Sequence, residues 1–192
     1  MTPSFRFAHA TGQDWQETAR RCLAQLGGPP ASLGFLYVTD LLADNLGGIL
    51  DFFRQRTGVP HWVGTVGIGI CATAHEYHDE PALAVMLGEF APDSYRVFSG
   101  VKSENDLGLV SFKCGERAAN FAIVHADPRN GEVPGLITGI AGKVEAGVVG
   151  NRIRRLETIP APVDRSVCDC ADRFRDQSRA RASPSRLMVG KI

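Results

Sequence analysis

The chain has 192 residues, of which 44% are apolar and 22% charged, and its formal net charge is zero. This composition is ordinary for a globular protein and excludes collagen-like, coiled-coil and wholly disordered chains. The longest apolar stretch covers residues 82–87, far short of the roughly 18 residues that span a bilayer. The N-terminus lacks the apolar region of a secretory signal. We therefore expect a cytoplasmic protein that has no membrane or nucleic-acid partner.

Charge is distributed unevenly along the chain. Residues 1–150 hold 11 basic and 16 acidic residues, whereas residues 151–192 hold 10 basic and 5 acidic ones. The last segment is rich in Arg, Ser, Asp, Ala and Pro and has almost no apolar period, so it can bury little apolar surface. The sequence therefore predicts one domain over residues 1–151 and a basic, poorly ordered tail over residues 152–192. The five cysteines lack framework spacing, which favours reduced thiols.

The first half of the chain predicts two helices around a buried strand. Apolar residues at helical spacing predict a helix over residues 15–26, and Thr11 and Asp14 resemble a capping box before it. Residues 33–39, LGFLYVT, are typical of a buried strand. Thr39 or Asp40 can cap a second helix, which ends at Gly58. The apolar face of that helix comprises Leu42, Leu46, Ile49, Leu50 and Phe53.

The second half is richer in strands. Residues 61–69 predict a glycine-dense strand, and the polar residues 74–81 predict a loop. Strands over residues 82–88 and 95–101 are separated by a Pro-Asp-Ser turn, which indicates an antiparallel hairpin. A strand over residues 120–125, a helix between residues 136 and 144, and a last strand over residues 146–150 follow. The alternation predicts an α/β fold with a mixed sheet and one antiparallel hairpin.

The glycine-dense strand is the most informative motif. Gly64, Gly67 and Gly69 flank Thr65 within W-V-G-T-V-G-I-G-I-C, where glycine is normally unfavourable. One interpretation is a ligand held against bare backbone groups, and the alternative is strand bending or close packing. The spacing matches neither a phosphate loop nor a dinucleotide fingerprint. Cys71, which follows, is either a reactive thiol or a structural cysteine.

Two histidine-containing segments could also carry chemistry. His125 and Asp127 stand at a predicted strand end, where α/β sheets collect ligands; the alternative is an Asp-Pro turn beside a structural histidine. Residues 75–80, HEYHDE, offer metal-ligand side chains, but Asp79 occupies the position of the second histidine in H-E-x-x-H, so a solvated loop is favoured. No G-x-S-x-G elbow supports a nucleophilic hydrolase, and the arginines of the tail lack interleaved aromatic residues.

The order of these motifs resembles the N-terminal part of the FIST sensory domain of F-box and intracellular signal transduction proteins. FLYVTDLLADNL, WVGTVGIGICATAHEY, PALAVML, AIVHADP and VVG carry the resemblance, over about residues 5 to 150. The resemblance implies a non-enzymatic intracellular module that senses small molecules, such as amino acids, and signals to an output partner. We expect the ligand-binding residues to be Gly64, Thr65, Gly67, Gly69, Cys71, His125 and Asp127.

Two other functions stay open. Some family members bind haem and sense nitric oxide, which would give one histidine the role of axial ligand; the candidates are His61, His75, His78 and His125. An enzyme that uses His125 or Asp127 as acid or base is the third hypothesis.

The family continues past V-V-G with a second α/β half, whereas this chain turns into the basic tail. This switch favours a truncated or frame-shifted gene near residue 151. It also predicts an exposed strand edge at residues 148–150 that promotes self-association.

Overall fold

Two four-stranded β-sheets pack face to face, and each carries helices on its outer face. This arrangement is seen in a computed structural model, which describes residues 5–28, 30–127, 129–144, 147–152 and 185–190. The strands are β1 (Phe5–Thr11), β2 (Leu33–Thr39), β3 (His61–Gly67), β4 (Gly69–Ala72), β5 (His75–His78), β6 (Ala82–Gly88), β7 (Tyr95–Val101), β8 (Lys113–Cys114), β9 (Arg117–Ala118), β10 (Phe121–Ala126), β11 (Gly147–Arg152) and β12 (Ser185–Gly190). The α-helices are α1 (Trp15–Gln25), α2 (Leu46–Thr57) and α3 (Val133–Ala141), and 3-10 helices cover Asp40–Asn45 and Glu104–Gly108.

The first sheet has the strand order β1-β6-β2-β3 and is covered by α1 and α2. Strands β2 and β3 run parallel, whereas β6 runs antiparallel to both of its neighbours. Leu36, Val38 and Val66 point to the helices and join Ile49 and Phe53 in the larger hydrophobic core. Their alternation with residues of the opposite face follows from the two-residue period of a strand.

The second sheet has the order β11-β10-β12-β7 and is covered by α3. Strands β10 and β11 are parallel, and β12 is antiparallel to both β10 and β7. Ala122 and Val124 of β10 pack with Leu136 and Ile140 of α3. Residue 123 therefore points to the opposite side, between the two sheets.

The layer between the sheets joins the two halves of the molecule. Leu33, Phe35 and Val63 of the first sheet are buried there against Val97 and Ile123 of the second sheet. Residues 89–94 cross from β6 in the first sheet to β7 in the second. The core between the sheets is apolar at this level, which separates the polar groups at its two ends.

The structure confirms the α/β class and the mixed sheet and places the hairpin elsewhere. Strands β6 and β7 lie in different sheets, so the expected hairpin between them is wrong; in the described residues, hairpins are formed by β4 with β5 and by β8 with β9. The predicted loop over residues 74–81 therefore contains a strand, and Ile68 interrupts the predicted strand over residues 61–69. Strand β1 escaped prediction because it lies at an edge and is half exposed, so it is not a continuous apolar run.

Two predicted helix caps also differ. Asp14 caps α1, its carboxylate accepting from the backbone N–H groups of Gln16 and Glu17, whereas Thr11 belongs to β1. The hydroxyl of Thr39 makes no cap bond and instead donates to the carbonyls of residues 80 and 82. Tertiary partners outcompete the local cap in that case.

The boundary at residue 151 stays a prediction. Most of the segment expected to be poorly ordered, residues 153–184, lies outside the described residues. The end of the predicted tail is described: Ser185–Gly190 forms β12, which lies between β10 and β7. Among the described strands, β11 lies at the edge of the second sheet. That the edge at residues 148–150 is exposed and promotes self-association stays a prediction.

Candidate functional site

A tyrosine and a histidine connect the two sheets near the carboxyl ends of their strands. The hydroxyl of Tyr37 on β2 and Nε2 of His125 on β10 lie 3.2 Å apart within hydrogen-bonding geometry. His125 is only 2% exposed. Burial raises the pKa of Tyr37 to about 12, so its hydroxyl stays protonated at neutral pH and can donate to Nε2. This bond connects the two sheets, and it marks the candidate site.

The face of the first sheet beside this bond is also polar. Thr65 stands opposite Tyr37 in the parallel β2–β3 pair and is buried. On the other side Tyr37 stands opposite Ala84, and Ala84 stands opposite His9. Because paired residues share a face, Thr65, Tyr37 and His9 form one row across the sheet. The small Ala84 separates His9 from Tyr37 in this row.

A second tyrosine–histidine pair lies at the end of that row. The hydroxyl of Tyr77 on β5 is 2.5 Å from Nδ1 of His9. The ring of His75 lies 4.3 Å from the ring of Tyr77 and 6.0 Å from that of His9, measured between centroids. Tyr77 and Ile70 pack against Tyr37 and Ala84, so the β4–β5 hairpin covers this end of the first sheet.

Asp127 is a fully buried carboxylate immediately beyond β10. Both of its oxygens accept from the guanidinium of Arg129, and the closest contact is 2.7 Å. The backbone N–H of Arg129 also donates to Asp127. The side chain of Arg129 is 57% exposed, so a positively charged group reaches solvent next to the buried His125–Asp127 segment. Such a bidentate pair holds the loop in one geometry.

The predicted glycines have different roles in the structure. A Cβ on Gly64 would lie 1.7 Å from the carbonyl oxygen of Leu36, so this glycine is required by the close approach of β2 and β3. A Cβ on Gly69 would lie 2.7 Å from the carbonyl oxygen of Tyr77 within the hairpin. Both positions therefore have a packing reason. Gly67 is buried at the end of β3, opposite Thr39.

Cys71 is not brought to the Tyr37–His125 bond. It is exposed on the β4–β5 hairpin, opposite Glu76, whereas its neighbour Ile70 points into the core. The structure thus places Thr65 and His125 next to Tyr37, Asp127 two residues beyond His125, and Cys71 on the surface. Tyr37 was missed by sequence reasoning, although a buried tyrosine always needs a partner for its hydroxyl.

The histidines do not form a metal cluster in the described part of the chain. His75 and His78 lie on the exposed hairpin, with His78 3.5 Å from a carboxylate oxygen of Glu76. In this structure Nε2 of His125 bonds to Tyr37, so a haem iron would have to displace that bond to reach this nitrogen. His61 is half-buried at the opposite end of the sheet, its ring against that of Tyr95.

A family model described as the FIST N domain matches residues 32–150. The match covers more than half of the chain, including both central strands of the first sheet, strand β10 of the second and every predicted site residue. The chain belongs to the FIST family. FIST domains are sensory domains of signalling proteins, so the protein has a sensing role, which fits a non-enzymatic function. A comparison with curated proteins finds no match.

Among the described residues of this FIST protein, no helix is long and apolar enough to cross a membrane. The compartment, the output partner and the ligand class stay predictions.

Proposed function

We propose that this FIST domain senses a small polar molecule, such as an amino acid, at the end of the layer between the sheets marked by Tyr37 and His125. The observation that carries the proposal is the part-buried hydrogen bond between these two side chains, which belong to different sheets. The proposed site comprises Tyr37, Thr65, His125 and Asp127. Gly64, Gly69 and Cys71 are left out because the first two meet neighbouring backbone and the third faces solvent.

The chemistry of these groups suits a ligand with hydrogen-bond donors and acceptors. Tyr37 and His125 offer a hydroxyl and a ring nitrogen whose present bond is neutral and 3.2 Å long. A neutral bond of this kind contributes about 1 kcal/mol net, so a ligand that satisfies both groups can replace it at low cost. Arg129, exposed beside Asp127, supplies a cationic group for a carboxylate at the rim.

Signalling would follow from the position of the bond between two layers. A ligand that bonds to Tyr37 and His125 favours a spacing of the sheets different from that of the free protein. Binding then shifts the population between the two arrangements by the ligand's difference in affinity for them. The β4–β5 hairpin packs against Tyr37 and so moves with this end of the first sheet. An output partner that contacts the hairpin or the edge of the second sheet could read this shift.

The test is a thermal-shift screen of the full chain with the 20 amino acids, followed by calorimetry of any that stabilise it. A ligand present at about 100 times its Kd stabilises the folded state by about 2.7 kcal/mol, which is readily measured. We expect Tyr37→Phe to weaken binding of the selected amino acid about tenfold, because the ligand group that bonds to the Tyr37 hydroxyl is left without its hydrogen-bond partner.

Tyr77→Phe is the matched control. It also removes a hydroxyl that contacts a histidine, but that pair lies within the first sheet and its hairpin. Its affinity should stay within about twofold of wild type. A screen without any stabilising amino acid, or equal losses in the two variants, contradicts the proposal.

The haem alternative is separated by absorbance. Purified protein supplied with haem should show no Soret band that depends on His125. A Soret band that is abolished by substituting His125 alone would show that the ligand is haem and would overturn the proposed amino-acid class.

A further inference from the structure

A cavity lies between the sheets at the end of the layer opposite to Tyr37 and His125. It has a volume of about 500 Å³, within the range typical of small-molecule sites. Its wall includes His61, the first residue of β3, and Tyr95, the first residue of β7. Both strands are at the edges of their sheets. His61 and Tyr95 begin their strands, whereas Tyr37 and His125 lie near the carboxyl ends of theirs. The cavity is therefore separate from the proposed sensing site, and nothing in the proposed function uses it.

The wall of this cavity is aromatic and held in place. The ring of Tyr95 lies 5.5 Å from that of Phe90 and 5.7 Å from that of His61. The Tyr95 hydroxyl donates to the carbonyl of Ser32 at 2.7 Å, which links the two sheets at this end. The hydroxyl of Ser32 accepts from the backbone N–H of Phe90 at 2.9 Å. Fixed rings of this kind favour a planar aromatic ligand by offset or edge-on contacts.

The polar groups of the cavity indicate the charge of the ligand. Arg96 and Asp93 line it, and among the described residues neither has an ion-pair partner. Burial lowers the pKa of His61, so its imidazole is neutral at pH 7. An exposed guanidinium binds a carboxylate through two parallel hydrogen bonds. Asp93 beside it opposes a second negative charge and can accept a bond from a ring N–H.

We infer that this cavity binds a planar aromatic molecule carrying one carboxylate, its ring against Phe90 and Tyr95 and its carboxylate on Arg96. Because the cavity is lined by both sheets, an occupant contacts the same two layers that the Tyr37–His125 bond connects. The protein therefore has two places, at opposite ends of the interface between its sheets, where a ligand can affect the spacing of the sheets. The inference stands independently of the proposed sensing site.

The probes are indole-3-carboxylate and its neutral isostere indole-3-carboxamide, measured by calorimetry on the full chain. We expect the carboxylate to bind at least tenfold more tightly than the amide. Arg96→Gln should abolish that preference and leave the affinity for the amide unchanged. Arg20→Gln, which removes the same charge from the exposed surface of α1, should leave the preference intact.

Amide chemical shifts on adding indole-3-carboxylate should change at His61 and residues 90–98. Changes confined to residues around Tyr37 and His125 would assign the ligand to the proposed sensing site and overturn the inference. So would the absence of binding at millimolar probe, equal affinities for the two probes, or an unchanged preference in Arg96→Gln.

Discussion

Gly64→Ala separates the two explanations of the glycine-dense strand. Gly64 has φ of +154° in β3, and an added Cβ would lie 1.7 Å from the oxygen, 2.7 Å from the carbon and 2.9 Å from the nitrogen of Leu36. Real Cβ atoms essentially never approach another heavy atom within 3.0 Å. All three atoms are backbone, so rotation of a side chain cannot relieve the clash. Either β3 moves away from β2 or the variant does not fold.

The cost of that movement follows from the position of β2. This strand is paired with β6 on one side and β3 on the other, and its Leu36 is buried under the helices. The β2–β3 ladder joins seven residues of each strand, so displacing β3 disturbs the whole pair. We expect a loss of at least about 4 kcal/mol, in the range reserved for severe mutations. The added methyl recovers only about 0.8 kcal/mol by burial.

The assay is urea unfolding monitored by tryptophan fluorescence and far-UV circular dichroism. Gly47→Ala is the control: its Cβ meets nothing within 4 Å, and alanine in α2 should stabilise by up to about 1 kcal/mol. Since a domain of this kind has a total stability of about 5–15 kcal/mol, a loss of about 4 is unmistakable. A Gly64→Ala protein within about 1 kcal/mol of wild type would refute the packing explanation and restore Gly64 as a candidate ligand contact.

Three further predictions test other parts of the structure. Because burial raises the pKa of Tyr37 from 10.0 to about 12, this side chain ionises first in the unfolded chain as the pH rises, and its contribution to the loss of stability between pH 10 and 12 should be up to about 2–3 kcal/mol. In Tyr37→Phe, urea titrations should show a smaller loss over that window; an identical loss would mean that this hydroxyl is not buried. Asp14→Ala should lower the free energy of unfolding by about 1 kcal/mol through loss of the α1 cap, and an unchanged urea midpoint would count against the cap. Peptide mapping after brief maleimide treatment should find Cys71 labelled and Cys22 protected, since burial raises the pKa of the Cys22 thiol to about 12; equal labelling would contradict the burial of Cys22.

Much of the fold was readable from local pattern. The helices over residues 15–26 and between residues 136 and 144 repeat apolar residues at helical spacing, and the buried strands over residues 33–39 and 82–88 are short apolar runs. Such periodicity decides which face is buried before any partner is known. Of the candidate site, the sequence identified Thr65 through its place in the glycine-dense strand, and His125 and Asp127 because polar residues at the end of a buried strand stand out against it.

Only the tertiary structure decided which elements are neighbours. The turn before Tyr95 looked like a hairpin turn, yet residues 89–94 carry the chain from one sheet to the other, because both sheets need an apolar face to cover. The same packing turned Tyr37 from an unremarked strand residue into the partner of His125, 88 positions away. It also explains why residue 64 is a glycine, because a Cβ there would clash with the carbonyl of Leu36. A local sequence pattern records which face is buried, but not which distant group lies against it.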